Sequence, residues 1–322
     1  MTLLPPYDGD MFPRRSAVPR SARVAARTRR PYARAAVRVA GTGAVAGAAA
    51  LTIAHVAARA ISGPFRPALA FDFTPFEVRV PQQELALTAA DGSRLAAWWM
   101  PSPGATHTVI LCHGHRGSRA QLLGIGPGLM RHGMNALLLG FRGSAGCGDG
   151  PQSLAWYEQQ DLRAAIDYVH RERPDDEISV VGYSMGAAVA LMVAATDERV
   201  VRVVADSSFA DMRGVITAAA ASHARGLPVG PLVSLTDAVT QRRYGYAFDQ
   251  VRPVDVVDRI PPRPLLLIHG DRDSVVPVSH LHDLAAAAPQ AEVWELPGVD
   301  HCGAYFTDRE GYIARVADFL QR

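Results

Sequence analysis

Three short stretches of the chain carry residue types that do nucleophilic chemistry when a fold brings them together. The first is Gly182-Tyr183-Ser184-Met185-Gly186, a serine set between two glycines. The apolar run Ile178–Val181 precedes it and the small-residue run Met185–Ala195 follows. A strand that turns sharply into a helix lifts such a serine above the sheet, and the glycines leave room for the turn. The start of the helix then offers backbone N–H groups and a positive dipole end to a forming oxyanion. Taken alone, the pentapeptide also fits an ordinary turn serine.

The second stretch is His269-Gly270-Asp271-Arg272-Asp273-Ser274-Val275-Val276-Pro277, after the apolar run Pro264–Ile268. Asp273 lies further out on this turn and can reach a histidine, whereas Asp271 can bond backbone within it. Asp273 is the favoured acid. The third stretch is Pro297-Gly298-Val299-Asp300-His301-Cys302-Gly303, after Glu292–Leu296. Ser184, Asp273 and His301 thus each follow a different strand, in the chain order of one kind of catalytic triad. The division of labour is that serine attacks, histidine takes its proton, and aspartate fixes the imidazole tautomer and stabilises the imidazolium. Acyl chemistry of this kind also needs donors for an oxyanion. The backbone N–H groups of Met185 and of His115, in His113-Gly114-His115-Arg116-Gly117-Ser118, are the candidates. His113 reads as structural, while the side chains of His115 and Arg116 stand where they would shape a pocket.

These positions require a sheet whose strands end on one edge. Glu84–Thr88 and Arg94–Met100 read as strands joined by the Asp91-Gly92 turn. Thr108–Cys112, Asn135–Leu139, Ile178–Val181, Val200–Ala205, Pro264–Ile268 and Glu292–Leu296 read as further strands. Helices are expected over Arg119–Arg131, Asp161–Arg171, Met185–Ala195, Ser279–Ala288 and Tyr305–Leu320. Such alternation implies an α/β class protein, with a mostly parallel sheet and helices on both faces. Ligands of such sheets bind beyond the carboxyl ends of the strands, where all three stretches fall. Asp211–Asp258 breaks the alternation and reads as a small cap insertion. Its Leu227, Val229, Leu232 and Leu235 fit either a greasy lid or the cap's own core.

From about Phe71 to the end, the motifs "LCHGHRGS", "GFRGSAG", "GYSMG", "HGDRDSVVP" and "PGVDH" resemble those of the α/β-hydrolases. The set, with "ADSSFADM" at 205–212, is similar to the serine-aminopeptidase-like branch, whose members often pair a membrane-proximal N-terminus with a small cap. The resemblance implies an α/β-hydrolase domain over 71–322 with a cap insertion at about 211–258. It also implies a Ser184 nucleophile, an Asp273 acid, a His301 base and an oxyanion hole at His115 and Met185. Many relatives carry an acid before the aromatic of the "GFRG" loop, where this chain has Gly140.

The first seventy residues differ from the rest. They hold eleven arginines against Asp8 and Asp10, and the whole chain has no lysine. Residues 1–38 read as an Arg-rich disordered tail, and 39–60 as a transmembrane helix or signal segment. Val39–Ala58 carries no formal charge, and as a helix it spans roughly 30 Å, a bilayer core. It is rich in Ala, with nine of its twenty residues of that type, so insertion is marginal. Gly43 and Gly47 make a GxxxG pair. A single-pass anchor, an export signal cut at Ala58-Arg59-Ala60 and a soluble or surface-lying helix of an exported or cytoplasmic protein are the three readings. The anchor is favoured, with the arginines cytoplasmic and the catalytic domain outside the cytoplasm.

Composition narrows the class further. An apolar content of 48% with 20% charged residues is that of a globular chain. Cys112, Cys147 and Cys302 follow no metal or disulfide spacing, and no H-E-x-x-H or early G-x-G-x-x-G occurs. No metal or cofactor is expected, and no nucleic-acid partner. The expected activity is cleavage of an ester, thioester or amide bond of a small-molecule or lipid-like acyl substrate through an acyl-enzyme. An acyltransferase with the same triad and a membrane-tethered, non-catalytic binding protein are the alternatives.

Overall fold

In the computed structural model, which describes residues 45–63, 75, 78–224 and 226–322, the apolar runs form eight strands of one sheet. They are β1 (Gln83–Thr88), β2 (Arg94–Met100), β3 (His107–Cys112), β4 (Asn135–Leu139), β5 (Glu177–Tyr183), β6 (Val200–Asp206), β7 (Leu265–Gly270) and β8 (Glu292–Leu296). Their spatial order is β1-β2-β4-β3-β5-β6-β7-β8. β1 and β2 form an antiparallel hairpin, β2 runs antiparallel to β4, and every later pairing is parallel.

Burial explains the strand sequences. β4, Asn-Ala-Leu-Leu-Leu, is buried at all five positions because helices cover both faces of the sheet. Alternate residues enter opposite layers. Leu137, Leu139, Ile110 and Val180 join the layer of α3 (Glu158–Glu172) and α4 (Met185–Ala194). Leu138, Leu111 and Tyr183 join the layer of α2 (Ile125–Arg131) and α9 (Arg309–Gln321). Truncating one such leucine to alanine costs about 2–5 kcal/mol. α3 shows the stripe expected of a helix covered on one side, with Leu162, Ala165, Ile166 and Val169 buried. α4 is apolar on all sides because it is covered on nearly all of them.

Two expected helices are each divided. Over Arg119–Arg131 a 3-10 turn, Arg119–Leu122, is followed by α2. A Cβ at Gly124, between them, would collide with the Tyr305 ring. The last expected helix becomes a short α8 (Ala304–Thr307) and then α9. Asp308 divides them, because its extended backbone and its carboxylate, which accepts the Gly311 N–H at 2.9 Å, start a new helix.

Between β6 and β7 lie α5 (Met212–His223), α6 (Gly230–Tyr244) and three 3-10 turns, and α7 (Ser279–Ala287) links β7 to β8. The chain divides into two units, 1–50 and 51–322. The Arg-rich tail expected over 1–38 lies outside the described residues, as do Gly43 and the start of the expected span. α1 (Val45–Ser62) is the one helix among the described residues that is long and apolar enough to cross a membrane. Within the second unit its Ala54 and Ala58 are fully buried in a cluster with Leu232, Leu235 and Val239 of α6. Leu232 and Leu235 therefore pack against α1, and Leu227 is 73% exposed.

Candidate active site

The parallel register brings the strand ends into step. Cys112 pairs with Gly182, Tyr183 with Asp206, Asp206 with Ile268, and Gly270 with Leu296. The loops that leave β3, β5, β6, β7 and β8 therefore emerge on one edge. Ser184 sits on the turn from β5 to α4 with φ 53° and ψ −116°, a left-handed conformation that costs a non-glycine residue about 1–3 kcal/mol. Its N–H donates to the Asp206 carbonyl at 2.8 Å, which ties the turn to β6. A side chain at Gly186 would run into the Cys112 and His113 carbonyls, so glycine is what lets α4 approach β3 this closely.

Ser184, His301 and Asp273 are brought together. His301 Nε2 is 2.9 Å from Ser184 Oγ, and Nδ1 is 2.7 Å from Asp273 Oδ2. The carboxylate beside Nδ1 places the ring proton there, leaving Nε2 to accept from the serine hydroxyl. Asp273 has a fully buried side chain, and its Oδ1 accepts the Val275 and Val276 N–H groups at 2.9 and 2.7 Å. Burial alone would raise this carboxyl, but hydrogen bonds from His269 and His301 outweigh it and hold the group well below the usual carboxylate range. Asp271 accepts the Gly298 N–H at 2.6 Å instead, bonding backbone across to the β8 loop. Asp300 accepts the Ser274 N–H at 2.8 Å and so links the acid turn to the histidine loop.

The His113–Ser118 loop faces the serine from the other side. A Cβ on Gly114 would stand 3.5 Å from that of Ser184. Among the described residues, neither the His115 nor the Met185 backbone N–H has a hydrogen-bond acceptor. His113 is buried, donates from Nδ1 to the Gly114 carbonyl at 2.8 Å and accepts the Phe141 N–H on Nε2 at 3.1 Å. Burial lowers its pKa to about 4, so it stays neutral and pins two loops. His115 is also lowered to about 4 by burial, and its Nε2 meets the Ile61 carbonyl at 2.8 Å. No group of three or more His, Cys, Asp or Glu side chains fit to hold a metal occurs among the described residues.

A family model of the alpha/beta hydrolase fold matches residues 107–230. That span runs from β3 through the Ser184 turn and into the segment after β6. The Pyrococcus furiosus esterase Pf2001 superposes with a TM-score of 0.67 at 25% identity, covering 80% of this chain and 96% of that one. The chain belongs to the α/β-hydrolase superfamily. Among sequence relatives, this hydrolase is 26% identical to YqkD of Bacillus subtilis over 77% of its own length and 82% of the relative's. It is 27% identical to YfhR of Escherichia coli K12 over 74% and 80% of the two chains.

Several residues of the hydrolase escaped the sequence reading. His269 Nε2 lies 3.2 Å from Asp273 Oδ2 and 2.9 Å from the Val276 carbonyl. Both are acceptors, so Nε2 carries a proton and Asp273 Oδ2 is shared by two histidines. Burial works against a charge on His269, but Asp273 outweighs it and raises the group. Behind Ser184, His301 and Asp273, Asp206 accepts from Ser207 and Tyr312, each at 3.0 Å, and Ser207 Oγ accepts the Cys302 N–H at 3.0 Å. Ser207 and Cys302 both have positive φ, 57° and 51°, so one hydroxyl clasps two strained residues beside His301. The only sequence signal was "ADSSFADM" beyond β6, which named the segment but no role.

The departure at Gly140 has a steric cause. A Cβ there would stand 2.8 Å from the Ala96 carbonyl oxygen and 2.9 Å from Cys147 Sγ, leaving no space for an acid. Arg142 of the same loop pairs with buried Asp161 at 2.5 Å and with Asp91 at 2.6 Å. The three cysteines are free thiols, and burial pushes the Cys112 and Cys302 thiols far up, which makes them inert packing groups.

Proposed function

We propose that this hydrolase cleaves carboxylic esters through an acyl-enzyme on Ser184, with His301 as general base and then acid, and Asp273 orienting it. The observation that carries the reading is the continuous chain Ser184 Oγ, His301 Nε2, His301 Nδ1, Asp273 Oδ2, with links of 2.9 and 2.7 Å. Ser184 Oγ attacks the ester carbonyl carbon while its proton passes to Nε2. The carbonyl π pair moves onto oxygen, where the His115 and Met185 N–H groups receive it. Collapse of that intermediate breaks the bond to the leaving group, which departs with the Nε2 proton. Water then repeats the sequence, giving its proton to Nε2 and releasing the acid from Ser184. Esters are preferred over amides as substrates because the P. furiosus relative is an esterase.

The 211–258 segment is the cap, and α1 anchors the domain at a membrane with the arginines of 14–38 on the cytoplasmic side. Since Ala54 and Ala58 are buried against α6, only the part of the span ahead of Ala54 enters the lipid, and α6 then lies at the bilayer surface. That location suits a lipid-like acyl substrate. A fluorophosphonate should label the full chain at Ser184, and Ser184→Ala should abolish labelling and lower kcat by about 10⁴-fold or more. A folded chain that takes no label at Ser184 would rule the reading out. Recovery of the chain in the alkaline-carbonate supernatant, rather than the membrane pellet, would rule out the anchor.

A further inference from the structure

The end of α1 and the loop facing Ser184 are joined by an unusual set of bonds. A helix leaves its last four carbonyls without partners in its own backbone. Here two side chains of the His113–Ser118 loop take up those of Ala60 and Ile61 and also reach the Arg59 carbonyl, which already accepts the Gly63 N–H at 2.7 Å, and that of Gly63 beyond the helix. Arg116 Nε donates to the Ala60 carbonyl at 2.9 Å, and Nη2 donates to Ala60 as well and to the Arg59 and Gly63 carbonyls at 3.3 Å. His115 Nε2 donates to the Ile61 carbonyl at 2.8 Å. Ser62 Oγ, fully buried, is 2.5 Å from the Tyr246 hydroxyl, which fixes the same turn to the segment after α6.

Arg116 holds φ 57°, so the loop is strained at the residue that grips the helix. The electrostatics point the same way. A helix C-terminus carries roughly half a negative charge, and this one abuts the loop proposed to receive an oxyanion. The Arg116 guanidinium lies on that terminus and offsets it.

Resting on the serine-hydrolase reading, we propose that the C-terminal turn of α1, residues 59–63, is a positioning element of the oxyanion hole. The Ile61 carbonyl holds the His115 ring, the α1 carbonyls hold Arg116, and together they fix the His115 backbone N–H, the proposed oxyanion donor. The turn is therefore part of the catalytic apparatus. A leader cut after Ala60 would remove the Arg59 and Ala60 carbonyls from Arg116 and leave only those of Ile61 and Gly63 in place.

The test uses the full chain with a short p-nitrophenyl ester. His115→Leu keeps the backbone N–H but loses the bond to Ile61. It should lower kcat about 10- to 100-fold, the scale of a misplaced oxyanion donor, with KM within about twofold. His115→Gln, whose amide nitrogen can reach the same carbonyl, should recover most of that loss. Ala58→Asp, away from the loop, should lift α1 from α6. It should expose the bond after Arg59 to trypsin and lower kcat to a similar degree, also where His115→Leu fails to fold. Wild-type turnover with unchanged kcat in His115→Leu, or in an Ala58→Asp chain cut at Arg59, would overturn this inference alone. Absence of fluorophosphonate labelling in the wild type would overturn it together with the serine-hydrolase reading.

Discussion

Replacing Asp273 by asparagine is the most informative single change in the proposed triad. Four donors converge on this carboxylate: the Val275 and Val276 N–H groups on Oδ1, and His301 Nδ1 and His269 Nε2 on Oδ2. An asparagine carries one acceptor oxygen. Directed at the two backbone N–H groups, it presents its NH₂ to both histidines. His301 then moves its proton from Nδ1 to Nε2, and a protonated Nε2 cannot take the Ser184 proton. Loss of the correct tautomer costs about 10⁴ in kcat, or about 5.4 kcal/mol at 1.36 kcal/mol per factor of ten. The opposite rotamer restores His301 but points NH₂ at two backbone donors, leaving buried groups unpaired at about 1–3 kcal/mol each. The expected result is therefore a drop in kcat of about 10⁴-fold with KM little changed. Steady-state kinetics on the ester, with circular dichroism to verify folding, would measure it. A folded Asp273→Asn chain within tenfold of wild-type kcat would refute the assignment of Asp273 as the orienting acid.

Burial raises the Asp206 carboxyl to about 6, against the smaller lowering by Ser207 and Tyr312. Because its folded pKa lies above the unfolded value, its contribution to stability is full below about pH 4 and is lost as pH rises through 6, by about 3 kcal/mol. Asp206→Asn should flatten the urea-derived stability profile between pH 4 and 7 by that amount, and parallel profiles would show that Asp206 does not titrate there. Arg142→Ala leaves Asp161 buried without its partner and should cost about 3–5 kcal/mol in denaturant titrations. Replacing both by apolar residues should recover much of it. Gly186→Ala forces a methyl against the Cys112 and His113 carbonyls. It should destabilise by about 1–3 kcal/mol and slow fluorophosphonate labelling, whereas an unchanged labelling rate would mean that the packing there relaxes freely.

The sheet was legible because burial on both faces writes itself as unbroken apolar runs, as in β3 and β4. Ser184 could be read because it follows the apolar run of β5 directly, whereas Asp273 and His301 lie in the loops beyond β7 and the only partly buried β8 and were marked by their chain order. The break before α2 fits the weakness that Gly124, Gly126 and Pro127 bring to that helical pattern, but the break at Asp308 could not be read, since a cap there overrides a good helical pattern. The Asp206, Ser207 and Tyr312 network joins residues about a hundred positions apart, and nothing local marks such pairs. The docking of α1 was hidden for a different reason. An alanine-rich helix has no distinct apolar stripe, so Ala54 and Ala58 give no sign of which surface they meet. The choice between Asp271 and Asp273 came from reach along the turn, and the structure places Asp273 against His301.

The segment between β6 and β7 leaves the sheet at Asp206 and re-enters it at Leu265, at opposite ends of a parallel ladder in which Asp206 pairs with Ile268 and Val203 with Leu265. Both ends of the excursion are thus fastened by the ladder itself rather than by the helices they enclose. For a protein engineer this makes the segment a natural graft site. A foreign insert spanning the same two anchor points would inherit the alignment of Ser184, Asp273 and His301 without having to specify it. Exchanges between relatives at those points would test whether the segment sets what is bound while leaving Ser184, Asp273 and His301 in place.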